Sequence, residues 1–129
     1  MILGIGADVV DINRFKEATR KSPKVIERVF TTGEIAHAQK LSPKKKTAYY
    51  AKRFAGKEAL SKACGTGIGN RLNWQDMEIL NDKQGTPVAT FSGKALKFLK
   101  KKFKTKTIKV FISLSDEKDF ALAFVLLTK

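Results

Sequence analysis

The sequence predicts an α+β domain in which an antiparallel sheet packs on one long central helix. Three observations carry that expectation. Thr47 to Cys64 is a proline-free run rich in Ala, Lys, Tyr and Leu, and Gly65 follows it as a helix stop. Ile108, Val110, Ile112 and Leu114 alternate with Lys109, Phe111, Ser113 and Ser115, the period of a half-buried strand. Phe120 to Leu127 is nearly all apolar, which predicts a strand buried on both faces after a turn over Asp116 to Asp119.

At 129 residues the chain makes one domain, 1–129, with room for a real core. A hydrophobic content of 43% argues against disorder despite the charge. Lys and Arg number 26 against 12 acids, a net charge of +14 that calls for an acidic partner. Nucleic acid, an anionic membrane, a phosphate-rich ligand and an acidic protein all meet that need. No apolar run reaches the length of a membrane span. Met1 to Asp8 has no basic region ahead of its apolar residues, so it does not read as a signal peptide. Cys64 is the only cysteine, which excludes an internal disulfide and fits a buried thiol in a reducing cytoplasm.

Ile2 to Val10 opens the chain as a strand, with Leu3, Ile5, Ala7 and Val9 on one face and Gly4, Gly6 and Asp8 on the other. The two glycines leave room for a ligand or another backbone to come close. Asp8 is either a strand-end or helix-start acid or a ligand for a cation, and the residues alone leave both readings standing. No third glycine completes a dinucleotide fingerprint. Asp11 to Lys21 reads as a short helix with Ile12 and Phe15 inward, and Pro23 breaks it before Val25, Ile26 and Val29 resume helical spacing. Thr31 and Glu34 have the spacing of a capping box, opening a helix through Leu41. His37 lies there alone, so a multi-histidine metal site is excluded and a surface position is expected.

Ser42 to Lys46 reads as a lysine-bearing turn into the central helix. Along that helix Phe54, Glu58 and Lys62 recur every four residues, with Lys57 and Ser61 beside them. Taken alone, this is a solvated face laced by a Glu58–Lys62 pair. Taken with Asp8, it offers two hard oxygen ligands for magnesium and a lysine to offset phosphate charge. Spacing does not make Asp8 and Glu58 meet. Gly65 to Gly69 is a tight connector that lacks the Gly-Lys-Ser/Thr ending of a P-loop. Met77 to Leu80 and Val88 to Phe91 form a hairpin around Asn81 to Gly85, and Gly93 to Lys104 is a basic helix with a solvated charged face.

Several of these residues resemble one family in one order. They are the opening Gly-Ile-Gly-Ala-Asp-Val-Val-Asp-Ile, Arg14, Phe30-Thr31, Glu34, and Arg53-Phe54-Ala55-Gly56-Lys57-Glu58-Ala59-Leu60-Ser61-Lys62-Ala63 with the glycine loop behind it. Gly85-Thr86-Pro87 and Ile112 to Ser115 extend the match nearly end to end. The pattern is similar to the holo-[acyl-carrier-protein] synthase family, the small bacterial type of 4'-phosphopantetheinyl transferase. The resemblance implies transfer of phosphopantetheine from coenzyme A to a serine of apo-acyl carrier protein, in support of fatty acid biosynthesis. It implies a 4'-phosphopantetheinyl transferase-like fold, a homotrimer with shared active sites, and a cytoplasmic location.

Residue by residue, the resemblance implies that Asp8 and Glu58 hold Mg2+ and that Asp8, Glu58 and Lys62 are catalytic. The serine proton would go to Glu58 or to a metal-bound water. Coenzyme A would be held by Lys44, Arg53, Phe54, Ser61, Lys62, Gly65, Gly85, Pro87, Ser113 and Asp116, and the carrier would dock on Arg14, Lys21, Lys24 and Arg28. An acidic carrier accounts for the net charge without specific nucleic acid. The aromatics Phe54, Trp74, Phe91 and Phe98 also lack the spacing of a base-stacking platform. Two positions depart from the family. Asp116 stands where many relatives have His, and Gly56 stands where alanine is common, at ~1 kcal/mol of helix propensity.

Overall fold

The computed structural model describes residues 1–129. The elements run β1 (Ile2–Asp11), α1 (Ile12–Lys21), α2 (Lys24–Val29), α3 (Thr32–Ala38), α4 (Pro43–Cys64), a 3-10 turn (Trp74–Asp76), β2 (Met77–Asn81), β3 (Pro87–Phe91), α5 (Gly93–Lys102), β4 (Lys109–Asp116) and β5 (Phe120–Thr128). β1, β5 and β4 form an antiparallel sheet in that order, and β2 and β3 form a separate hairpin. Helix α4 lies across one face of the sheet.

The central helix begins earlier than expected. The Ser42–Lys46 stretch is its first turn, because Pro43 occupies the N1 position where a missing N–H costs nothing. Gly65 ends it in the left-handed region at φ 73. Asp11 caps α1 by accepting from the Arg14 N–H at 3.0 Å. Thr31 and Glu34 form the reciprocal capping box that their spacing predicted, although α3 stops at Ala38, short of Leu41. Lys104, at φ 52, lies beyond the end of α5, which is two residues shorter than expected.

Small residues let β1 and α4 touch. A Cβ at Gly4 would lie 1.8 Å from the Ala63 carbonyl oxygen, and one at Gly6 would lie 2.0 Å from that of Ala59. The space left by the glycines is filled by another backbone. Gly56 has a similar reason, since a Cβ there would lie 2.5 Å from Ile79 Cδ1. Packing demands the residue that helix propensity disfavours. One core joins Ala55, Ala59 and Leu60 of α4 to Ile79, Leu99, Val125 and Leu127. A second gathers Phe15, Phe30, Tyr49, Tyr50 and Ala51.

The sheet corrects one expectation. β5 is buried on one face only: Ala121, Ala123, Val125 and Leu127 face α4, while Phe120, Leu122 and Phe124 are exposed. Ile5, Val9 and Phe111 extend that open apolar surface across β1 and β4. α4 covers one side of the sheet and no element of the chain covers the other. Periodicity showed which residues share a face, but not which face turns inward.

Candidate active site

Two rows of side chains leave α4 in different directions. Phe54, Glu58 and Lys62 share one row by their four-residue spacing, and Arg53 and Lys57 share the next. The close approach of β1 brings Asp8 to the first row. Lys62 Nζ donates to Asp8 Oδ1 and to the Ala7 carbonyl, each at 3.1 Å. The Asp8 side chain is 19% exposed and that of Lys62 52%, so the pair sits at an open edge. Glu58 is half-buried beside them. Burial pushes its carboxyl above the ordinary glutamate value, the charge of Asp8 adds to that rise, and Lys62 opposes it.

Asp8, Glu58 and Lys62 therefore come together as expected. Burial and the charge of Asp8 make the ionised Glu58 carboxylate costly, and with a single ammonium beside the two acids the site favours a further cation. Hard oxygens suit magnesium, and no third carboxylate, His or Cys joins them in a metal-binding cluster. Water and substrate phosphate would complete such a coordination shell.

The second row behaves otherwise. Lys57 does not belong to the charged face that its neighbours suggested. Its ammonium is fully buried, 2.7 Å from Glu34 Oε1, and donates to the carbonyls of Val29 at 2.7 Å and Trp74 at 3.1 Å. Burial pulls it below the ordinary lysine value, against the attraction of Glu34. Glu34 also accepts from the backbone N–H groups of Thr31 and Ile79. Ser61 is buried too, its hydroxyl donating to the Glu58 carbonyl at 2.7 Å.

Arg53 is buried, donating to the Ile79 carbonyl at 3.3 Å and to Asn81 Oδ1 at 2.8 Å, with its guanidinium 4.0 Å from the Tyr49 ring centre. It lines a cavity of about 280 Å3 together with Lys45, Lys52, Tyr49, Asn81 and Asp116. Lys52 pairs with Asp116 at 3.0 Å. The buried Tyr49 hydroxyl has no partner, and exposed His37 stacks on the Tyr49 ring with centres 5.0 Å apart. This cavity is separate from the Asp8–Glu58–Lys62 group.

The remaining expected residues are spread out. Lys44 is exposed in the first turn of α4, Gly65 closes that helix, and Gly85 and Pro87 belong to the β2–β3 hairpin. Ser113 is exposed on the open apolar face of the sheet. Phe54 is wedged between Phe15 and Trp74, at centre distances of 5.4 and 5.1 Å. Arg14, Lys21, Lys24 and Arg28 are all exposed on α1 and α2, and none forms an ion pair. Three arrangements had no signal in the sequence: the Glu34–Lys57 pair, the Lys52–Asp116 pair and the hydrogen bonds of Gln75 to α2. Each joins residues far apart in the chain, and Glu34 looked like a local cap only.

A family model described as the 4'-phosphopantetheinyl transferase superfamily matches residues 4–125. A holo-[acyl-carrier-protein] synthase of Pelagibacter ubique is 44% identical over 128 residues, covering 99% of this chain and 98% of that protein. The crystal structure of the holo-[acyl-carrier-protein] synthase from Neisseria meningitidis superposes with a TM-score of 0.89 at 35% identity, covering 100% of both chains. That of a Bacillus anthracis holo-(acyl-carrier-protein) synthase in complex with CoA (3',5'-ADP) gives 0.81 at 38%, covering 98% of this chain and 96% of that one.

Proposed function

The chain belongs to the 4'-phosphopantetheinyl transferase superfamily, and from that premise we infer that it is an enzyme that modifies acyl carrier protein. It transfers the 4'-phosphopantetheine group of coenzyme A to a serine of apo-acyl carrier protein, releasing adenosine 3',5'-bisphosphate, in support of fatty acid biosynthesis. The observation that carries this reading is the convergence of Asp8, Glu58 and Lys62 where β1 meets α4.

Asp8 and Glu58 would hold a magnesium ion, which when bound supplies Lewis-acid polarisation of the pyrophosphate. Lys62, half-exposed, turns from Asp8 toward the phosphate oxygens and offsets the charge that builds during displacement. The carrier serine attacks the β-phosphate in line, and a carboxylate oxygen of Glu58 takes its proton. Lys44, Arg53 and the Gly85–Pro87 segment hold the nucleotide end of coenzyme A, and the unpartnered Tyr49 hydroxyl supplies a further hydrogen bond there. Phe54, Gly65, Ser113 and Asp116 complete the coenzyme A surface, and buried Ser61 backs it through its hydrogen bond to the Glu58 carbonyl. Asp116, already neutralised by Lys52, does not set a bare negative charge against the incoming phosphate.

Arg14, Lys21, Lys24 and Arg28, without acidic partners of their own, dock the acidic carrier and speed its encounter. The enzyme works in the cytoplasm as a homotrimer. The open face of Ile5, Val9, Phe111, Leu122 and Phe124 is the apolar surface that subunit contact would cover, and it lets one subunit's nucleotide cavity serve its neighbour's carboxylates. Light scattering should report three chains per particle, and a monomer would sink the shared-site arrangement.

The deciding experiment uses purified protein, coenzyme A and apo-carrier. Mass spectrometry should show the carrier gaining one phosphopantetheine arm with magnesium and none with a chelator. A carrier that binds yet never gains mass would leave only an adaptor.

A further inference from the structure

A six-residue helix cannot sustain itself, because the cost of its first turn is barely repaid. α2 begins at Lys24 with no side-chain cap at Pro23. Its last carbonyls have no partner inside the helix apart from that of Ile26, taken by the Phe30 N–H at 2.9 Å. The next four carbonyls are all met by two side chains from elsewhere. Gln75 Nε2 lies 2.9 Å from the Glu27 oxygen, 3.3 Å from that of Arg28 and 2.8 Å from that of Phe30, so its two N–H groups serve three acceptors. Lys57 Nζ donates to Val29 at 2.7 Å. Lys57 also brings a positive charge to the helix C-terminus, where the backbone dipoles favour it.

The two donors come from informative places. Lys57 is the residue before Glu58 on α4. Gln75 follows Trp74, whose ring stacks on Phe54, and Phe54 packs on Phe15 of α1. The short 3-10 turn thus touches α2 through Gln75 and backs α1 through Phe54. Gln75 itself is exposed and fills no core volume.

We propose that Gln75 and Lys57 are positioning residues for carrier docking, suspending α2, with its Lys24 and Arg28, from the catalytic helix at a fixed offset from Glu58. This rests on the reading that the α1–α2 surface docks the carrier. A free α2 would still be basic, but its charges would be spread over many orientations, and the carrier would have to order them on binding.

Steady-state kinetics with apo-carrier and coenzyme A test this in Gln75→Ala, with Lys24→Glu as the control for docking itself. Gln75→Ala should raise the carrier KM about five- to tenfold, leaving kcat and the coenzyme A KM within about twofold, as expected for lost neutral hydrogen bonds. Gln75→Glu, which aims a carboxylate at three carbonyls, should be worse than Gln75→Ala. Amide hydrogen exchange should quicken across residues 25–30 in Gln75→Ala and stay unchanged in α4, a readout that also excludes global misfolding. If Lys24→Glu raises the carrier KM while Gln75→Ala leaves both it and the α2 exchange unaltered, the positioning role is overturned. A fall in kcat at unchanged carrier KM overturns it too. If Lys24→Glu has no effect, the docking reading itself fails and the positioning role falls with it.

Discussion

Lys57 and Glu58 are neighbours on one helix, yet they belong to charge clusters of opposite character. The Glu34–Lys57 pair is fully buried, and each member has further backbone partners. The Asp8–Lys62 pair is open to water on the lysine side and shares its space with a second carboxylate. The first is saturated and can bind nothing more. The second carries surplus negative charge and oxygen lone pairs still to be filled. A saturated cluster serves architecture, whereas a frustrated one is poised for a ligand.

The hardest break of that contrast is at the open cluster. Asp8→Ala and Glu58→Ala should each lower phosphopantetheine transfer on the order of a thousandfold, since a Lewis acid supplies several kcal/mol. Thermal melting of both variants should stay close to the parent, because neither side chain fills the core. Near-normal turnover in either would end the assignment of these carboxylates.

The saturated cluster should respond in the opposite currency. Lys57→Met alone leaves Glu34 charged and unpaired in the interior, which costs about 3–5 kcal/mol of stability. Adding Glu34→Leu removes the stranded charge, and the double variant should recover most of that loss in urea unfolding. A double variant no more stable than Lys57→Met would mean that the backbone bonds of the pair, and not its charge, hold this region.

A smaller effect sharpens the comparison through pH. The Glu58 carboxyl is raised above 4.5 chiefly by burial, with Asp8 second. Between 4.5 and that raised value the folded chain binds a proton that the unfolded chain has released, so stability falls as pH rises through the window. The charged site therefore costs stability at neutral pH. Glu58→Gln should melt slightly higher than the parent in chelator, and magnesium should raise the melting temperature of the parent but not of the variant. Equal magnesium shifts in both proteins would place the ion elsewhere.

The mildest test concerns Cys64, the last residue of α4, buried in the core beyond both clusters. Burial pushes its thiol up to about 12, with Lys102 pulling weakly the other way. Iodoacetamide at pH 8 should leave it unmodified in the native protein and label it fully in urea. Rapid native labelling would show that the last turn of α4 opens.

Much of the fold was legible because it depends on local chemistry. The capping box at Thr31 and Glu34, the stop at Gly65 and the alternation of β4 act over a few residues, and all appear in the structure. Pro43 was misread because a Ser-Pro-Lys-Lys-Lys string suits either a turn or a first helical turn, and only the continuing helix decides between them. At the site, four-residue spacing correctly aligned Glu58 with Lys62. The same spacing wrongly drew in Lys57, whose charge turns inward to the distant carbonyls of Val29 and Trp74, and Ser61, whose buried hydroxyl bonds back to the Glu58 carbonyl of its own helix.

By itself, the sequence determined the elements, the family pattern and the shared row of Phe54, Glu58 and Lys62, for these follow from backbone geometry and nearby residues. Tertiary structure alone decided that Asp8 meets that row, that Lys57 turns inward to Glu34, and that the apolar face of β5 stays open. The physical reason is distance along the chain. The environment of a charge or an apolar stripe is set by elements dozens of residues away, and no local period records which of them will arrive.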